Sequence, residues 1–85
     1  MDGKPFSLEI LTIERPIFTG EARALSAPGE MGEFGILAEH AHFVSGLKNG
    51  TLKITLLEGQ EKSIPLQGGF LRVEKNRVVV LADIE

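Results

Sequence analysis

Hydrophobic and polar residues alternate along much of the chain, with the period of two that is typical of half-buried β-strands. The clearest case is the segment 51–57. There Leu52, Ile54 and Leu56 share one face, and the residues between them are polar. The segment 62–67 returns with the same alternation. This pattern predicts a fold built from short amphipathic strands.

Glycine and proline divide the chain into short pieces. There are 10 Gly and 4 Pro among the 85 residues, and they are spread evenly. Few of the pieces are long enough for a helix of about ten residues or more. Short strands separated by regular turn signals are typical of β-sandwiches and barrels. The sequence therefore predicts an all-β domain of about nine strands, with no helix longer than one or two turns.

Four local features refine this prediction. The parity of the alternation switches at Ile10-Leu11, which indicates a β-bulge. Asn49-Gly50 is a pair that favours a tight hairpin turn. Pro65 lacks the N–H that a sheet ladder needs, so its strand is expected at a sheet edge. The segment 78–82 is almost continuously apolar and β-branched, which predicts a central strand covered on both faces.

Composition and charge narrow the class of protein. A chain of 85 residues and 9.2 kDa is expected to form one domain, residues 1–85. Without cysteine it has no disulfide, no thiolate metal ligand and no cysteine nucleophile. A net charge of −3 argues against nucleic acid as a partner. No apolar stretch approaches the ~20 residues of a membrane-spanning helix, so we expect no direct membrane insertion.

Two segments contain residue types that are found in metal-binding or phosphate-binding sites. Glu39-His40-Ala41-His42 would place both histidines on one face of a strand, where they could bind a metal with Glu33 or Glu39 as third ligand. A stand-alone β-barrel that binds a ligand or metal through this loop is therefore an alternative function, and an interaction module of OB or SH3 type is another. Residues 28–35 hold three glycines three residues apart, but an apolar strand follows them instead of the helix of a phosphate-binding loop. We expect tight turns there.

Three segments together resemble one known family. They are LEILTIERPIFTG (8–20), GEFGILAEHAHFVSGLKNGTLKI (32–54) and LQGGFLRVEKNRVVVLAD (66–83). The glycine spacing, the His-Ala pair and the Gly-Gly-Phe turn are similar to those in the N-terminal β-domain of the epsilon subunit of the F-type ATP synthase. The resemblance implies a flattened β-sandwich of two roughly five-stranded sheets.

The resemblance also implies a function and a set of contacts. The family's epsilon subunit is a non-catalytic part of the rotary central stalk, a peripheral protein on the cytoplasmic face of the bacterial inner membrane. It binds the gamma subunit and the c-ring in a hetero-oligomeric complex, without cofactor or metal, and couples proton translocation to ATP synthesis. By position, Thr12, His40 and Ser45 match residues close to gamma, and Glu33 matches the acidic residue near the c-ring.

The chain departs from the family in two places. Residues 38–42 read Ala-Glu-His-Ala-His where Pro-Gly-His-Ala-Pro is usual, so this loop should be less rigid. The sequence also stops where the family continues into a helical hairpin that can inhibit ATP hydrolysis and, in some bacteria, bind ATP. We therefore expect the isolated chain neither to hydrolyse nor to bind ATP.

Overall fold

The computed structural model of the chain describes residues 4–36 and 42–84. Within these ranges all regular structure is β-strand, which confirms the all-β prediction. The pairings are antiparallel except that between the first and last strands, which is parallel. The strands are β1 Phe6–Leu11, β2 Pro16–Gly29, β3 Gly32–Ile36, β4 Phe43–Leu47, β5 Gly50–Leu56, β6 Glu61–Leu66, β7 Gly68–Glu74 and β8 Arg77–Asp83.

The strands form two layers that share β2. The first layer runs β4-β7-β8-β1 and continues into the first half of β2. The second layer runs from β3 through the second half of β2 to β5 and β6. The overall dimensions are 34 × 23 × 18 Å, so the molecule is elongated. The predicted sandwich is confirmed, with five strands in the first layer and four in the second when β2 is counted in both.

The long strand β2 explains why the described strands number eight instead of about nine. Gly20, one of the glycines that divide the sequence into short pieces, does not end a strand. In the structure the chain continues through Gly20, pairing with β1 up to Ala22 and with β5 from Ala22 onward. Because one strand serves both layers, the corner between them needs no turn.

One side chain in two along most strands points into a core between the layers. Leu71 and Val73 on β7 and Val78 and Val80 on β8 show this alternation, and each is almost fully buried. None of the polar or charged residues in the two described ranges is buried. The buried apolar side chains are Phe6, Leu8, Ile10, Ala22, Leu25, Ala27, Ile36, Leu47, Leu52, Ile54, Leu66, Leu71, Val73, Val78, Val80 and Ala82.

Two of the predicted local features are confirmed and one is wrong. The β1–β2 register shifts between Ile10 and Leu11, as the parity switch indicated. Pro65 lies on β6, which pairs with β5 and ends the strand order. Asn49-Gly50, however, does not form a hairpin, because β4 pairs with β7 while β5 pairs with β2 and β6. The segment instead crosses between layers, and Lys48 donates its backbone N–H to Pro28 O at 2.8 Å.

Glycine is required by backbone conformation at two of the turns. Gly32 has φ of +132° and begins β3 after the two-residue turn Glu30-Met31, which fits the expected tight turn. Gly69 has φ of +143°, and a Cβ atom there would run into the backbone oxygen of Leu81. Gly69 therefore lets β7 lie close against β8.

Candidate functional site

Strand β8 is apolar on both faces, but the domain covers only one of them. It lies between β1 and β7, as the predicted central strand should. Val78 and Val80 face the core, whereas Leu81 points outward and keeps 51% of its surface exposed. The prediction that both faces are covered is thus wrong for the isolated domain. An apolar face on an otherwise well-packed strand indicates that another molecule covers it.

The exposed side of β8 continues across its neighbours. Phe70 on β7 pairs with Leu81, and Val44 on β4 pairs with Arg72, which in turn pairs with Val79. Phe70 and Val44 are 61% and 68% exposed. Val44, Phe70, Val79 and Leu81 line one shallow groove and are called the apolar face below.

Charged side chains lie along one side of the apolar face, and Arg72 stands within it, between its strand partners on β4 and β8. Arg72 and Glu74 form an exposed ion pair, with Nη2 and Oε2 3.4 Å apart. Arg77, and Glu9 on the neighbouring strand β1, line the same groove. Aromatic side chains and arginine are both enriched in protein–protein interfaces. We therefore take the apolar face as the candidate functional site.

The turn between β1 and β2, residues 12–15, lies at the other side of the apolar face. Ile13 in this turn and Ile17 at the start of β2 line a second groove together with Phe70, Leu81 and Ile84. Ile13 is 96% exposed. The apolar surface thus extends from the sheet onto the turn.

Two residues that the resemblance assigns to the gamma contact use their hydroxyls within the domain. Thr12 Oγ1 accepts the backbone N–H of Glu14 and of Arg15 and donates to Arg15 O. Ser45 is half-buried on β4 and donates to Gly46 O at 2.9 Å. Thr12 and Ser45 lie at the ends of a row of strands, separated by β8 and β7. The structure therefore does not bring them into one cluster.

Glu33, which the resemblance assigns to the c-ring contact, lies on β3 next to the turn between β2 and β3. Its side chain is exposed, and Met31 at the tip of the turn is fully exposed. Glu30 of this turn donates its backbone N–H to Gly46 O at 3.2 Å. The turn is thereby attached to β4 and presents two carboxylates and one thioether to the solvent.

The histidine loop lies mostly outside the described residues, since these include His42 but not Glu39 or His40. The structure therefore says nothing of the contact assigned to His40 or of the predicted metal site in this loop. Elsewhere, in residues 4–36 and 42–84, no three His, Asp or Glu side chains are grouped as metal ligands. The same ranges contain no helix suited to crossing a membrane.

Sequence reasoning missed the side chains that form the apolar face. Val44, Phe70 and Leu81 were not singled out, because each is a common residue of a strand core. The signal was present in the segment 78–82, where apolar residues occupy both parities. What the sequence could not show was which parity the domain itself would bury.

Comparison with known proteins identifies the family. Residues 5–84 match the family "ATP synthase, Delta/Epsilon chain, beta-sandwich domain". The chain is 37% identical over 79 residues to the ATP synthase epsilon chain of Dichelobacter nodosus and 42% identical over 76 residues to that of Bordetella petrii. These alignments cover 93% and 89% of this chain, but only 55% and 54% of the relatives. The chain thus spans about half the length of these relatives.

Solved structures show the same fold. A chain of the Euglena gracilis mitochondrial ATP synthase (OSCP/F1/c-ring) superimposes with a TM-score of 0.84 at 25% identity, covering 88% of this chain and 48% of that one. A chain of the Tetrahymena thermophila mitochondrial ATP synthase (central stalk/c-ring) gives 0.78 at 13% identity, covering 98% and 66%. The resemblance read from the sequence is confirmed: the chain belongs to the ATP synthase delta/epsilon family and comprises its β-sandwich domain.

Proposed function

We propose that the chain acts as a non-catalytic epsilon subunit in the central stalk of an F-type ATP synthase, bound to the gamma subunit through its apolar face. The observation that carries this proposal is the exposure of Val44, Phe70 and Leu81 on paired strands of the first layer. The chain belongs to a family of ATP synthase subunits, and an apolar face that is exposed in the isolated domain is expected to be covered by another subunit.

The turn between β2 and β3 supplies a second contact in this proposal. The exposed carboxylate of Glu33 and the exposed Met31 project from the turn between β2 and β3. We assign this turn to the c-ring, with Glu33 meeting a polar or basic group on a loop of the ring. The domain then lies between gamma and the ring and transmits rotation as a rigid body, on the cytoplasmic side of the membrane and without a cofactor.

Rigidity supports this mechanical role. Strand β2 belongs to the first layer over its first half and continues without interruption into the second layer. A force applied at one outer surface therefore reaches the other through continuous strands and a close-packed core, which deforms little. A part that deforms little under load transmits rotation with little angular lag, which suits the coupling of proton translocation to ATP synthesis.

The test is a calorimetric titration of the purified chain with the purified gamma subunit of the same synthase. We expect a one-to-one complex with sub-micromolar affinity, in the range of specific interfaces of ordinary size. The chain should also bind to the purified c-ring. Glu33→Gln should weaken binding to the ring and leave the affinity for gamma unchanged. Absence of any complex with gamma would overturn the proposal.

A further inference from the structure

The β1–β2 turn combines an exposed apolar side chain with an unusually complete set of hydrogen bonds. We propose that Ile13 is a contact residue that inserts into an apolar recess of the partner subunit, and that Thr12 is the positioning residue that holds it there. The inference rests on the proposed function, since it takes the partner to be the gamma subunit. It reassigns the role of Thr12 from a direct contact to a residue that acts through its neighbour.

The hydrogen bonds of Thr12 close the turn on itself. Its hydroxyl accepts the N–H of Glu14 at 3.2 Å and of Arg15 at 3.1 Å, and donates to Arg15 O at 2.9 Å. Its backbone N–H also donates to Arg15 O at 2.9 Å. The single hydroxyl proton is thus used inside the turn and is not available to an acceptor on a partner.

This turn holds Ile13 where its side chain is not packed into the core of the domain. Its side chain is 96% exposed, although isoleucine is among the residues most often buried. The residue that follows the turn is Pro16, whose ring fixes φ and stiffens the exit into β2. A side chain presented from a pre-ordered turn loses little conformational entropy when it binds, so the energy gained by burying it appears as affinity.

The location of Ile13 indicates which partner it meets. Ile13 lines the same groove as Phe70 and Leu81, which belong to the apolar face. Its surface is therefore continuous with the proposed gamma interface. A partner that covers the apolar face would meet Ile13 at the margin, where an apolar recess would accept it and a charged group would not.

The test is a double-mutant cycle measured as affinity for the purified gamma subunit. Ile13→Ala should weaken binding roughly tenfold. Thr12→Val should weaken it several-fold, and Thr12→Ser, which keeps the hydroxyl, should restore it. In the Ile13→Ala background, Thr12→Val should add less than about a twofold effect, because its influence passes through Ile13. Leu57→Ala is the matched control, an exposed aliphatic side chain that follows β5, and should leave affinity unchanged.

The possible outcomes separate this inference from the proposed function. Wild-type chain that fails to bind gamma overturns both. Normal wild-type binding with no effect of Ile13→Ala overturns only the role of Ile13. Equal effects of Thr12→Val in both backgrounds would overturn the positioning role and make Thr12 a direct contact. Amide exchange of Glu14 and Arg15 in the free chain should become faster in Thr12→Val and stay slow in Thr12→Ser, and unchanged exchange in Thr12→Val would overturn the mechanism.

Discussion

The outer faces of the two layers differ although the layers share one core. On the first layer the outward positions of β4, β7 and β8 include Val44, Phe70, Val79 and Leu81, the apolar face. On the second layer the outward positions are polar or small. They line a shallow surface that we call the polar face, formed by Ala24, Ser26, Gly35, Lys53, Thr55 and Glu61.

This difference shows which side of the sandwich is built for solvent. Lys53, Thr55 and Glu61 need no covering. On the apolar face, side chains that are half to two-thirds exposed would each gain about half of the roughly 1.5–3 kcal/mol of full burial. Both faces stand on equally regular strands. The two outer faces of the described residues therefore differ in chemistry, and the apolar face of the first layer offers more binding energy than the polar face of the second.

The largest effects, on stability and on gamma binding, are expected from alanine substitutions of two neighbouring residues of β7. Their side chains point to opposite sides of the first layer. Leu71 is fully buried, so Leu71→Ala should reduce the free energy of unfolding by about 2–5 kcal/mol. Phe70→Ala should change it by less than about 1 kcal/mol but weaken gamma binding at least tenfold. Denaturant unfolding and calorimetry measure the two quantities, and a large loss of stability in Phe70→Ala would show that the apolar face serves the domain itself.

The next largest effect is expected when the charge of one residue is changed on each outer face and the affinity for gamma is compared. Leu81→Lys places a charge in the centre of the apolar face and should lower affinity for gamma by about a hundredfold, or roughly 2.7 kcal/mol. Lys53→Glu, on the polar face, should change the affinity less than about twofold. If Lys53→Glu were the more damaging substitution, the partner would lie on the second layer.

The sequence was sufficient to predict the β-sandwich, but not all of its strand pairing or the choice between these faces. The bulge at Ile10-Leu11 and the edge position of Pro65 are local consequences of side-chain parity and a missing N–H, so they could be predicted. The Asn49-Gly50 hairpin could not, because pairing of β4 with β7 is decided by contacts far apart in sequence. In the same way, the outward position of Leu81 follows from which neighbours pack against β8.

The candidate site shows the same limit. Thr12 and Ser45 were found by their match to family positions, which carries no information on hydrogen bonding. Only the structure shows that both hydroxyls are engaged by nearby backbone atoms. Ile13 was not found, because an isolated isoleucine in a sequence gives no sign of whether it is buried.

The smallest effect is expected at the ion pair that Arg72 forms on the apolar face. Arg72 and Glu74 are joined by an exposed ion pair of 3.4 Å, and such pairs contribute little to stability. Arg72→Ala should therefore change the free energy of unfolding by less than about 0.5 kcal/mol, at low and at high salt alike. A loss above about 1 kcal/mol in chemical denaturation would show that this ion pair stabilises the domain itself, and the comparison of faces would need revision.

The most direct test of the account measures which outer face the gamma subunit covers. The chain contains no cysteine, so Leu81→Cys and Lys53→Cys each introduce a single thiol, one on each face. The rate of maleimide labelling of this chain is then compared with and without saturating gamma, by mass spectrometry. Protection of Leu81→Cys by at least about tenfold, with Lys53→Cys labelled at its free rate, is the expected result for a standard interface that excludes water at its centre. Protection of Lys53→Cys, with Leu81→Cys still labelled freely, would contradict it.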